Sequence, residues 1–376
     1  MIFVRFVVVA VLRFFRKYTV FCIAAIAAAL TCFFVAPDAQ YADYFDWGTL
    51  ACLFMTLAVI CALRNIKFFT IVARRLVLFS GNLRSLFFVL LSITFIGSML
   101  IANDMALITF LPLGYFAITV AKQEKYIPYL FVLQNIAANL GGMLTPFGNP
   151  QNLYLYSYFK IPTAEFCGIM LPPFLLAIAM LAVCCFFVRA DKLELCEEFG
   201  ERLSAPRTVL YLSLFAFSLL AVFRIVPFWI CLVLILAVLL WVDREALLMV
   251  DYALLGTFFF FFIFAGNLSR IEAVNTFISS LLEKDTLLVS AMSCQVISNV
   301  PSAILLSRFT VNYKPLLIGV NIGGTGTLIA SLASLITFSE FRILYPGHTK
   351  KYFWLFTLLN VIFLAVMIAA SKLFFV

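Results

Sequence analysis

Apolar segments that approach the length of a lipid bilayer recur along this chain of 376 residues and constrain its fold more than any other feature. An α-helix needs about 20 consecutive apolar residues to cross the hydrocarbon core. Hydrophobic residues make up 65% of the chain and charged residues only 12%, which lies outside the range of soluble globular domains. The segments do not alternate as the strands of a membrane β-barrel do. The sequence therefore predicts an all-α polytopic membrane protein.

We expect about nine or ten full spans. Nine segments are drawn as spans: Tyr18–Val35, Trp47–Ala62, Ile127–Tyr158, Glu165–Val188, Thr208–Phe223, Pro227–Val242, Leu247–Ala265, Pro315–Phe338 and Tyr352–Phe375. Phe3–Leu12 is short for a span, and whether it crosses the membrane is left open. Leu83–Ala121 and Thr286–Phe309 are apolar on both sides of a polar tip. Each is predicted to be a re-entrant hairpin of two half-length helices.

Two of these segments contain the same unusual pattern at an offset of 182 residues. Asn139–Leu153 and Asn321–Leu335 place glycines and small polar residues where a membrane helix would continue with leucine. Without a gap, the shared positions are Asn139, Gly141, Gly142, Thr145 and Leu153 with Asn321, Gly323, Gly324, Thr327 and Leu335. Paired interrupted helices in the two halves of a membrane protein indicate a transporter binding site.

The distribution of basic residues predicts how the chain is oriented. If each hairpin returns to its own side, nineteen of the 26 Lys and Arg residues fall on one face, which is then cytoplasmic. The hairpins would open to opposite faces, as in inverted-topology repeats. We expect a first repeat over residues 1–188 with hairpin 83–121 and broken helix 127–158. This repeat is followed by a cytoplasmic linker at 189–207. The second repeat covers 208–376, with hairpin 286–309 and broken helix 315–338.

Glycine and proline in the two motifs are expected to unwind the helices near the middle of the bilayer. Unpaired N–H groups at a helix start attract anions, and unpaired carbonyls attract cations. Irregular backbone in a membrane is tolerated only within protein or along a wet cavity. The candidate substrate- and ion-binding residues are Asn103, Asp104, Gly141, Gly142, Thr145, Pro146, Gly148, Asn149, Ser298, Asn299, Gly323, Gly324, Thr325, Thr327 and Ser331.

Asp104 is the one carboxylate at a predicted hairpin tip. An ionisable residue inside a membrane marks a functional site by default, although aspartate also caps helices. Asp104 could bind a cation or carry a coupling proton. A Na⁺ site is expected to draw on Asn103, Asp104, Ser298 and Asn299. No cofactor is expected beyond the coupling Na⁺ or H⁺. Nucleic acid is excluded as a partner because the basic residues lie in short loops between apolar segments.

Four blocks of the sequence resemble the ion transporter superfamily. These blocks are Ala102–Leu107 with Pro112, Asn139–Leu153, Ser298–Ala303 and Asn321–Leu335. The superfamily groups citrate transporter-like permeases, divalent-anion:sodium symporters and arsenical pump membrane proteins. The resemblance implies two inverted repeats whose hairpin tips and helix breaks bind substrate and cations. It also suggests a homodimer, since some branches of the group are dimeric.

The hairpin tips depart from the Ser-Asn-Thr of the divalent-anion symporters, which leaves the subfamily open. The first tip reads Ala-Asn-Asp and the second Ser-Asn-Val. Asn103, Ser298 and Asn299 carry over from the family pattern. The absence of the threonines argues against dicarboxylate specificity, and Asp104 favours proton coupling or a charged sodium ligand.

The sequence therefore predicts a secondary active transporter of the cytoplasmic membrane that moves a small anion by alternating access, with Na⁺ or H⁺ coupling. A Na⁺/H⁺ antiporter, an arsenite or oxyanion efflux permease and a channel are the alternatives within transport. An intramembrane enzyme is disfavoured because the chain has one histidine and one clear mid-membrane acid. Substrate identity and the direction of transport stay open.

Overall fold

In the computed structural model, which describes residues 18–193 and 203–374, the chain is almost entirely helical. The described residues form no β-sheet, and only an isolated bridge joins Asn82 to Lys192. Phe3–Leu12, for which a span was left open, lies outside these ranges. The predicted linker at 189–207 lies partly outside them. The prediction of an all-α fold is confirmed.

Among the residues that the structure describes, eight α-helices lie in the first half of the chain. They are α1 (Thr19–Cys32), α2 (Trp47–Asn65), α3 (Phe68–Val77), α4 (Leu83–Ile101), α5 (Asn103–Val120), α6 (Ile127–Gly141), α7 (Pro150–Tyr158) and α8 (Thr163–Phe186). Local chemistry explains several of the starts. Asn82 and Ser85 form a reciprocal capping box at the start of α4. Pro150 occupies the first turn of α7, where its missing N–H costs nothing.

Nine helices are found in the second half. They are α9 (Ala205–Val222), α10 (Phe228–Val242), α11 (Arg244–Leu248), α12 (Tyr252–Arg270), α13 (Glu272–Ile297), α14 (Asn299–Leu306), α15 (Tyr313–Ile322), α16 (Leu332–Leu344) and α17 (Thr349–Phe374). Helix α13 contains a non-helical residue, Asp285, with φ −163° and ψ 85°. This break falls one residue before the predicted start of the second hairpin.

The helical backbone breaks at both predicted hairpin tips and at both predicted helix interruptions. Helices α4 and α5 meet at Ala102, and α13 and α14 meet at Ser298. A 3₁₀ turn and an irregular segment separate α6 from α7. Residues 323–331 separate α15 from α16. The sequence predicted these positions because glycine, proline and polar side chains cluster there.

The arms of the first hairpin differ from the half-length helices expected. Helices α4 and α5 have 19 and 18 residues, which at 1.5 Å per residue is about 28 Å. The second hairpin fits the expectation better, since Thr286–Ile297 and the eight-residue α14 are short. The depth to which each hairpin enters the bilayer stays a prediction.

Eight helices in the described ranges are long and apolar enough to cross a membrane, and the two arms of the first hairpin are among them. Helices α1 and α10, drawn from the sequence as full spans, have only 14 and 15 residues. The second broken helix, which forms α15 and α16 of 10 and 13 residues, accounts for the remaining difference, whereas Glu124–Leu144 of the first broken helix is among the eight. The fold is thus polytopic as predicted, with a different division between spans and hairpin arms.

Glycine at position 141 allows α6 to approach α4 closely. A Cβ placed there would lie 2.3 Å from the Phe95 carbonyl oxygen and 2.4 Å from Ser98 Oγ. We therefore expect Gly141→Ala to destabilise the protein by about 1–3 kcal/mol through overpacking against backbone. Thermal unfolding of the purified protein in detergent measures this effect.

Gly168→Ala is the matched control, because Gly168 lies inside α8 and nothing lies within 4 Å of its Cβ position. Alanine favours a helix over glycine by up to about 1 kcal/mol, so this variant should melt at the same or a higher temperature. Equal melting temperatures for the two variants would contradict the close packing of α4 on α6.

Candidate functional site

The two hairpin tips share a strained backbone conformation. Ala102 has φ 64° and ψ 154°, and Ser298 has φ 73° and ψ 159°. Residues other than glycine rarely adopt this region, and doing so costs about 1–3 kcal/mol. Such strain persists where the surrounding structure enforces it, often at ligand sites. Both turns are therefore held by the surrounding structure in a conformation that is costly for the backbone.

Each tip is followed by an asparagine that caps the helix leaving the turn. Asn103 Oδ1 accepts a hydrogen bond from the Asp104 N–H at 3.0 Å, and Asn299 Oδ1 accepts one from the Val300 N–H at 2.9 Å. Both asparagines are 4% exposed. Their carbonyl oxygens are thus engaged locally, and their amide nitrogens face the rest of the site.

The break between α6 and α7 is held by the side chain of Asn152. Its Nδ2 lies 3.2, 3.2 and 3.3 Å from the carbonyl oxygens of Gly142, Met143 and Thr145 and donates to them. These carbonyls belong to the unwound segment and have lost helical partners. An unpaired buried carbonyl is costly in hydrocarbon, so Asn152 makes the interruption tolerable.

The break between α15 and α16 is held by Gln295 from the second hairpin. Gln295 Nε2 donates to the carbonyl oxygens of Gly323 at 2.8 Å and Thr325 at 3.0 Å. Its Oε1 accepts from the Thr327 N–H at 2.8 Å. Gly326 has φ 116° and no room for a Cβ, which would lie 2.2 Å from Gln295 Oε1. One glutamine side chain therefore satisfies both carbonyl and N–H groups in the first part of the unwound segment.

The same contacts join hairpin to break in both halves. Thr145 Oγ1 donates to the Met99 carbonyl at 3.1 Å, and Thr327 Oγ1 donates to the Gln295 carbonyl at 3.2 Å. Met99 and Gln295 both lie three residues before their tips. The broken helices correspond at the offset of 182 residues, whereas the hairpins correspond at 196. Equivalent residues thus make equivalent hydrogen bonds.

Glycine packing repeats in the same way. The Cβ position of Gly141 meets Phe95 and Ser98, and that of Gly323 meets Ala291 and Cys294. Both pairs of neighbours are related by 196 residues. These two glycines therefore serve close approach of the hairpin to the broken helix, rather than exposing backbone to a ligand.

Asparagine side chains link the two halves across the centre. Asn321 Nδ2 donates to Asn152 Oδ1 at 2.6 Å, and Asn149 Nδ2 donates to Asn321 Oδ1 at 3.4 Å. Asn321 also donates to the Leu317 carbonyl at 2.8 Å. The first break therefore contacts the second break directly.

The hairpin tips reach the same place. Asn103 Nδ2 donates to Asn139 Oδ1 at 3.3 Å. A Cβ at Gly324 would lie 3.4 Å from Asn139 Oδ1 and 3.2 Å from Asn299 Nδ2. Asn299 N–H also donates to the Ala330 carbonyl at 3.0 Å. Both tips and both breaks thus meet around one cluster of buried amides.

Most of the predicted hydroxyl ligands donate to nearby protein oxygens. Thr325 Oγ1 donates to the Ile322 carbonyl at 2.6 Å. Ser331 Oγ accepts from the Ser334 N–H at 3.2 Å and caps α16. Ser298 Oγ lies 3.3 Å from Asn299 Oδ1 and 3.4 Å from the Ala330 carbonyl. These hydroxyl groups retain acceptor lone pairs, so in this conformation they could face a cation.

Two further glycines and a proline shape the first break. A Cβ at Gly142 would lie 2.4 Å from Asn149 Oδ1, and one at Gly148 would lie 2.3 Å from the Gly142 carbonyl oxygen. Pro146 is buried between them and offers no N–H. The segment folds back tightly on itself, and only glycine fits at either contact.

Four buried polar atoms in this region have no hydrogen-bond partner among the described residues. They are Asp104 Oδ1, Asn149 Oδ1, Gln151 Oε1 and Gln151 Nε2. Asn149 and Gln151 are each 1% exposed. Burying a polar group without a partner costs several kcal/mol. Unpartnered groups at a helix break are therefore the groups most available to a bound ion or solute.

The tip residues expected to hold Na⁺ fall into two pairs. Asn103 and Asp104 follow the first turn, and Ser298 and Asn299 form the second. Between the pairs lie Asn139 and Gly324. The described residues contain no group of three or more His, Cys, Asp or Glu side chains that could hold a metal. Any cation here would be bound by neutral oxygens with at most one carboxylate.

Sequence reasoning missed two glutamines. Gln295 lies on the hairpin, two residues before the helix ends at Ile297, and nothing in the neighbouring sequence shows that it contacts another element. Gln151 directly follows the Asn-Pro pair that was singled out, and its polar side chain inside an apolar segment was a usable signal.

Comparison with known proteins places this geometry in a family. A family model described as citrate transporter matches residues 6–318. The chain belongs to the citrate transporter family. It is 32% identical over 335 residues to an uncharacterized transporter of Methanocaldococcus jannaschii, covering 88% of this chain and 91% of that protein. The family is one of transporters, which sets the enzyme alternative aside.

Two other relatives are informative. Inner membrane protein YbiR of Escherichia coli is 30% identical over 325 residues, covering 84% of each chain. The rice silicon efflux transporter LSI3 is 31% identical over 157 residues, covering 41% of this chain and 31% of that protein. Together with the apolar helices, these relatives identify a multi-pass transporter of the inner membrane.

Gln295→Glu tests whether the glutamine holds the second break. Glutamate keeps an acceptor for the Thr327 N–H but cannot donate to the Gly323 and Thr325 carbonyls when it is ionised. Leaving two buried carbonyls unpaired should destabilise the protein by about 1–3 kcal/mol. The measurement is thermal unfolding in detergent.

Gln40→Glu is the control, because Gln40 is an exposed glutamine outside the site. Its melting temperature should stay within experimental error of the native protein. If Gln295→Glu melts no lower than Gln40→Glu, the glutamine does not support the break.

Proposed function

We propose that this transporter is a secondary active carrier that moves a small anion, either a carboxylate or an inorganic oxyanion. Transport is coupled to Na⁺ or H⁺ and proceeds by alternating access. The observation that carries the proposal is the meeting of two hairpin tips and two helix breaks around one cluster of buried amides. Backbone ends and amides at such breaks can replace the hydration shell of a charged solute.

The repeated contacts support the further proposal of an inverted repeat. Hairpin and break are joined by the same threonine hydrogen bond and the same glycine contact in each half. We infer that residues 1–188 and 208–376 are the two repeats and that their hairpins open to opposite faces. Two pseudo-equivalent units around a shared site provide the two conformations that alternating access requires.

The substrate site in this proposal includes the tip asparagines and the start of α7. Asn149 Oδ1 and both amide atoms of Gln151 are buried and unpartnered in the described structure. The first turn of α7 adds the positive end of a helix dipole, which favours an anion. We therefore add Gln151 to the residues predicted from sequence, as a donor to the solute.

Asp104 is proposed to carry the coupling charge. Its Oδ1 is buried without a partner, and an isolated carboxylate inside a membrane is strongly disfavoured as an anion. Binding of a proton or a Na⁺ ion would remove this cost. The same observation favours the second candidate, a Na⁺/H⁺ antiporter in which no anion moves.

Several substrates are compatible with this chemistry. The matching family is described as citrate transporter, and the rice relative is named as a silicon efflux transporter. Amides, hydroxyls and helix ends can bind carboxylates, sulfate or an oxyanion of arsenic. Thermal-shift screening against citrate, sulfate and arsenite, with and without Na⁺ and at several pH values, would select the substrate for the tests below.

Asn103→Ala and Asn299→Ala test the hairpin tips. Each removes an amide that caps the turn and faces the centre, so transport of the selected anion into proteoliposomes should fall to background. Asn267→Ala is the control. Asn267 is also fully buried, but it donates a hydrogen bond to Thr31, away from the two hairpin tips and the two helix breaks. It should keep measurable transport. Native rates in both tip variants would remove the tips from the site.

Asp104→Asn tests the coupling role. The amide cannot titrate and carries no charge, so a pH or Na⁺ gradient should no longer drive accumulation of the anion. Exchange of labelled for unlabelled anion at equal concentrations should persist, because it needs no net coupling. Asp43→Asn in an exposed loop is the control. The proposal fails for Asp104 if its variant accumulates anion as the native protein does.

Cation flux separates the two candidates. Sodium efflux that is driven by a proton gradient and occurs without any added anion would favour the antiporter. Sodium or proton uptake that requires the anion would favour the carrier.

A further inference from the structure

A cavity of about 560 Å³ lies at the base of the second hairpin, away from the helix breaks. Its walls come from the end of α7, the first part of α13, and residues 307–312 after α14. Tyr158, Asn275, Ser279 and Thr310 are among the lining residues. Exposed Val311 and Glu283 stand at its edge, so the cavity opens on the surface.

Arg308 supplies the positive charge of this cavity. Among the described residues that line it, Arg308 is the only basic side chain and Glu283 the only acidic one. Glu283 is exposed, whereas Arg308 is half-buried and its Nε is buried without a hydrogen-bond partner. Water screens the exposed carboxylate more strongly than the half-buried guanidinium. The inner wall therefore carries the dominant charge, and it is positive.

The guanidinium of Arg308 is held in place but has unused hydrogen-bond donors. One Nη atom donates to the Tyr44 carbonyl, and the guanidinium carbon lies 5.2 Å from the centre of the Tyr158 ring. Arginine has five N–H donors in a rigid fork. A single backbone carbonyl and an aromatic face leave most of these unused. An oxyanion or carboxylate is the partner that such a fork prefers.

The position of the cavity relates it to the central site. Helix α7 begins at the first break and ends at Tyr158 in the cavity wall, a distance of about 13 Å over nine residues. The descending arm of the second hairpin begins at the tip and leads to Ser307, which also lines the cavity. Tyr154 on α7 bonds Ser307 at 2.8 Å. Two of the elements that form the central site therefore also contribute to this cavity.

We propose that the cavity is a second anion-binding site, in which Arg308 captures a small oxyanion or carboxylate before it moves to the helix breaks. The capture role rests on the proposed function, because it assumes that the transported solute is an anion. The volume is many times the roughly 30 Å³ that one water molecule occupies in the liquid. The anion therefore enters with much of its hydration and is held weakly, as suits a vestibule.

The test measures binding of sulfate and of citrate to the purified protein in neutral detergent by calorimetry, at constant ionic strength. Arg308→Gln should weaken binding at the cavity about tenfold, the loss expected for one charge-assisted hydrogen bond. Glu283→Gln should strengthen it, because a repelling carboxylate is removed. Opposite effects of the two substitutions are specific to an anion in this cavity.

Arg224→Gln is the matched control. Arg224 also donates to a tyrosine carbonyl and lies over a tyrosine ring, in both cases that of Tyr156, but it does not line the cavity. It should leave anion binding unchanged while losing the same kinds of structural contact. Equal loss in both arginine variants, or native affinity in Arg308→Gln, would overturn the proposal.

The double variant Asn103→Ala and Asn299→Ala separates this site from the central one. Binding that persists in the double variant and disappears when Arg308→Gln is added reports the cavity alone. That result supports the cavity even if transport of the anion is never observed. A double variant that binds neither anion, with Arg308 intact, would overturn the second site without touching the proposed function.

Lipid headgroups offer the same phosphate chemistry, so the last arm compares nanodiscs of phosphatidylcholine with nanodiscs that also contain phosphatidylglycerol. Similar affinities for sulfate in both support capture of a free anion. Loss of sulfate binding in the anionic lipid would show that a headgroup occupies the cavity and would overturn the capture role.

Discussion

The hydrogen-bonding demand of the polypeptide backbone in an apolar medium governs this structure. A membrane helix can be interrupted only if other groups satisfy the carbonyls and N–H groups that it releases. Asn152 and Gln295 do this here, one for each break. Their amides combine donor and acceptor in one neutral side chain, so they stabilise the unwound segments without adding charge. The breaks are therefore stabilised by specific side chains of the fold. These side chains belong to the cluster of buried amides at the centre.

The side chains that satisfy the backbone groups of the two breaks belong to different elements. This difference affects which elements can move together. Asn152 belongs to the same broken helix that it supports, whereas Gln295 reaches across from the hairpin. Asn321 then ties the second break to Asn152 of the first. Movement of the second hairpin would have to carry its break along, whereas the first break could keep its internal bonds.

The sequence predicted where the helices break because glycine, proline and asparagine act locally. It did not predict the arm lengths, since α5 and α14 have 18 and 8 residues although they follow equivalent tips. This difference accounts for ten of the fourteen residues that separate the hairpin offset of 196 from the broken-helix offset of 182, and the longer stretch from Ile127 to Asn139 than from Tyr313 to Asn321 accounts for the other four. Gln295 could not be assigned, because its partners lie on another element. Gln151 could have been assigned to the candidate site, because an uncharged polar side chain at the start of an apolar helix already indicates a polar partner.

Positions that correspond in the two halves but carry different residues are informative. At the tips, Asn103 matches Asn299, but the next residue is Asp104 in the first half and Val300 in the second. The two turns have nearly the same dihedral angles, so the aspartate is not needed to form the turn. Val300 shows that an apolar residue suffices there. The carboxylate therefore adds something that the turn itself does not require, and this agrees with the coupling role proposed for Asp104.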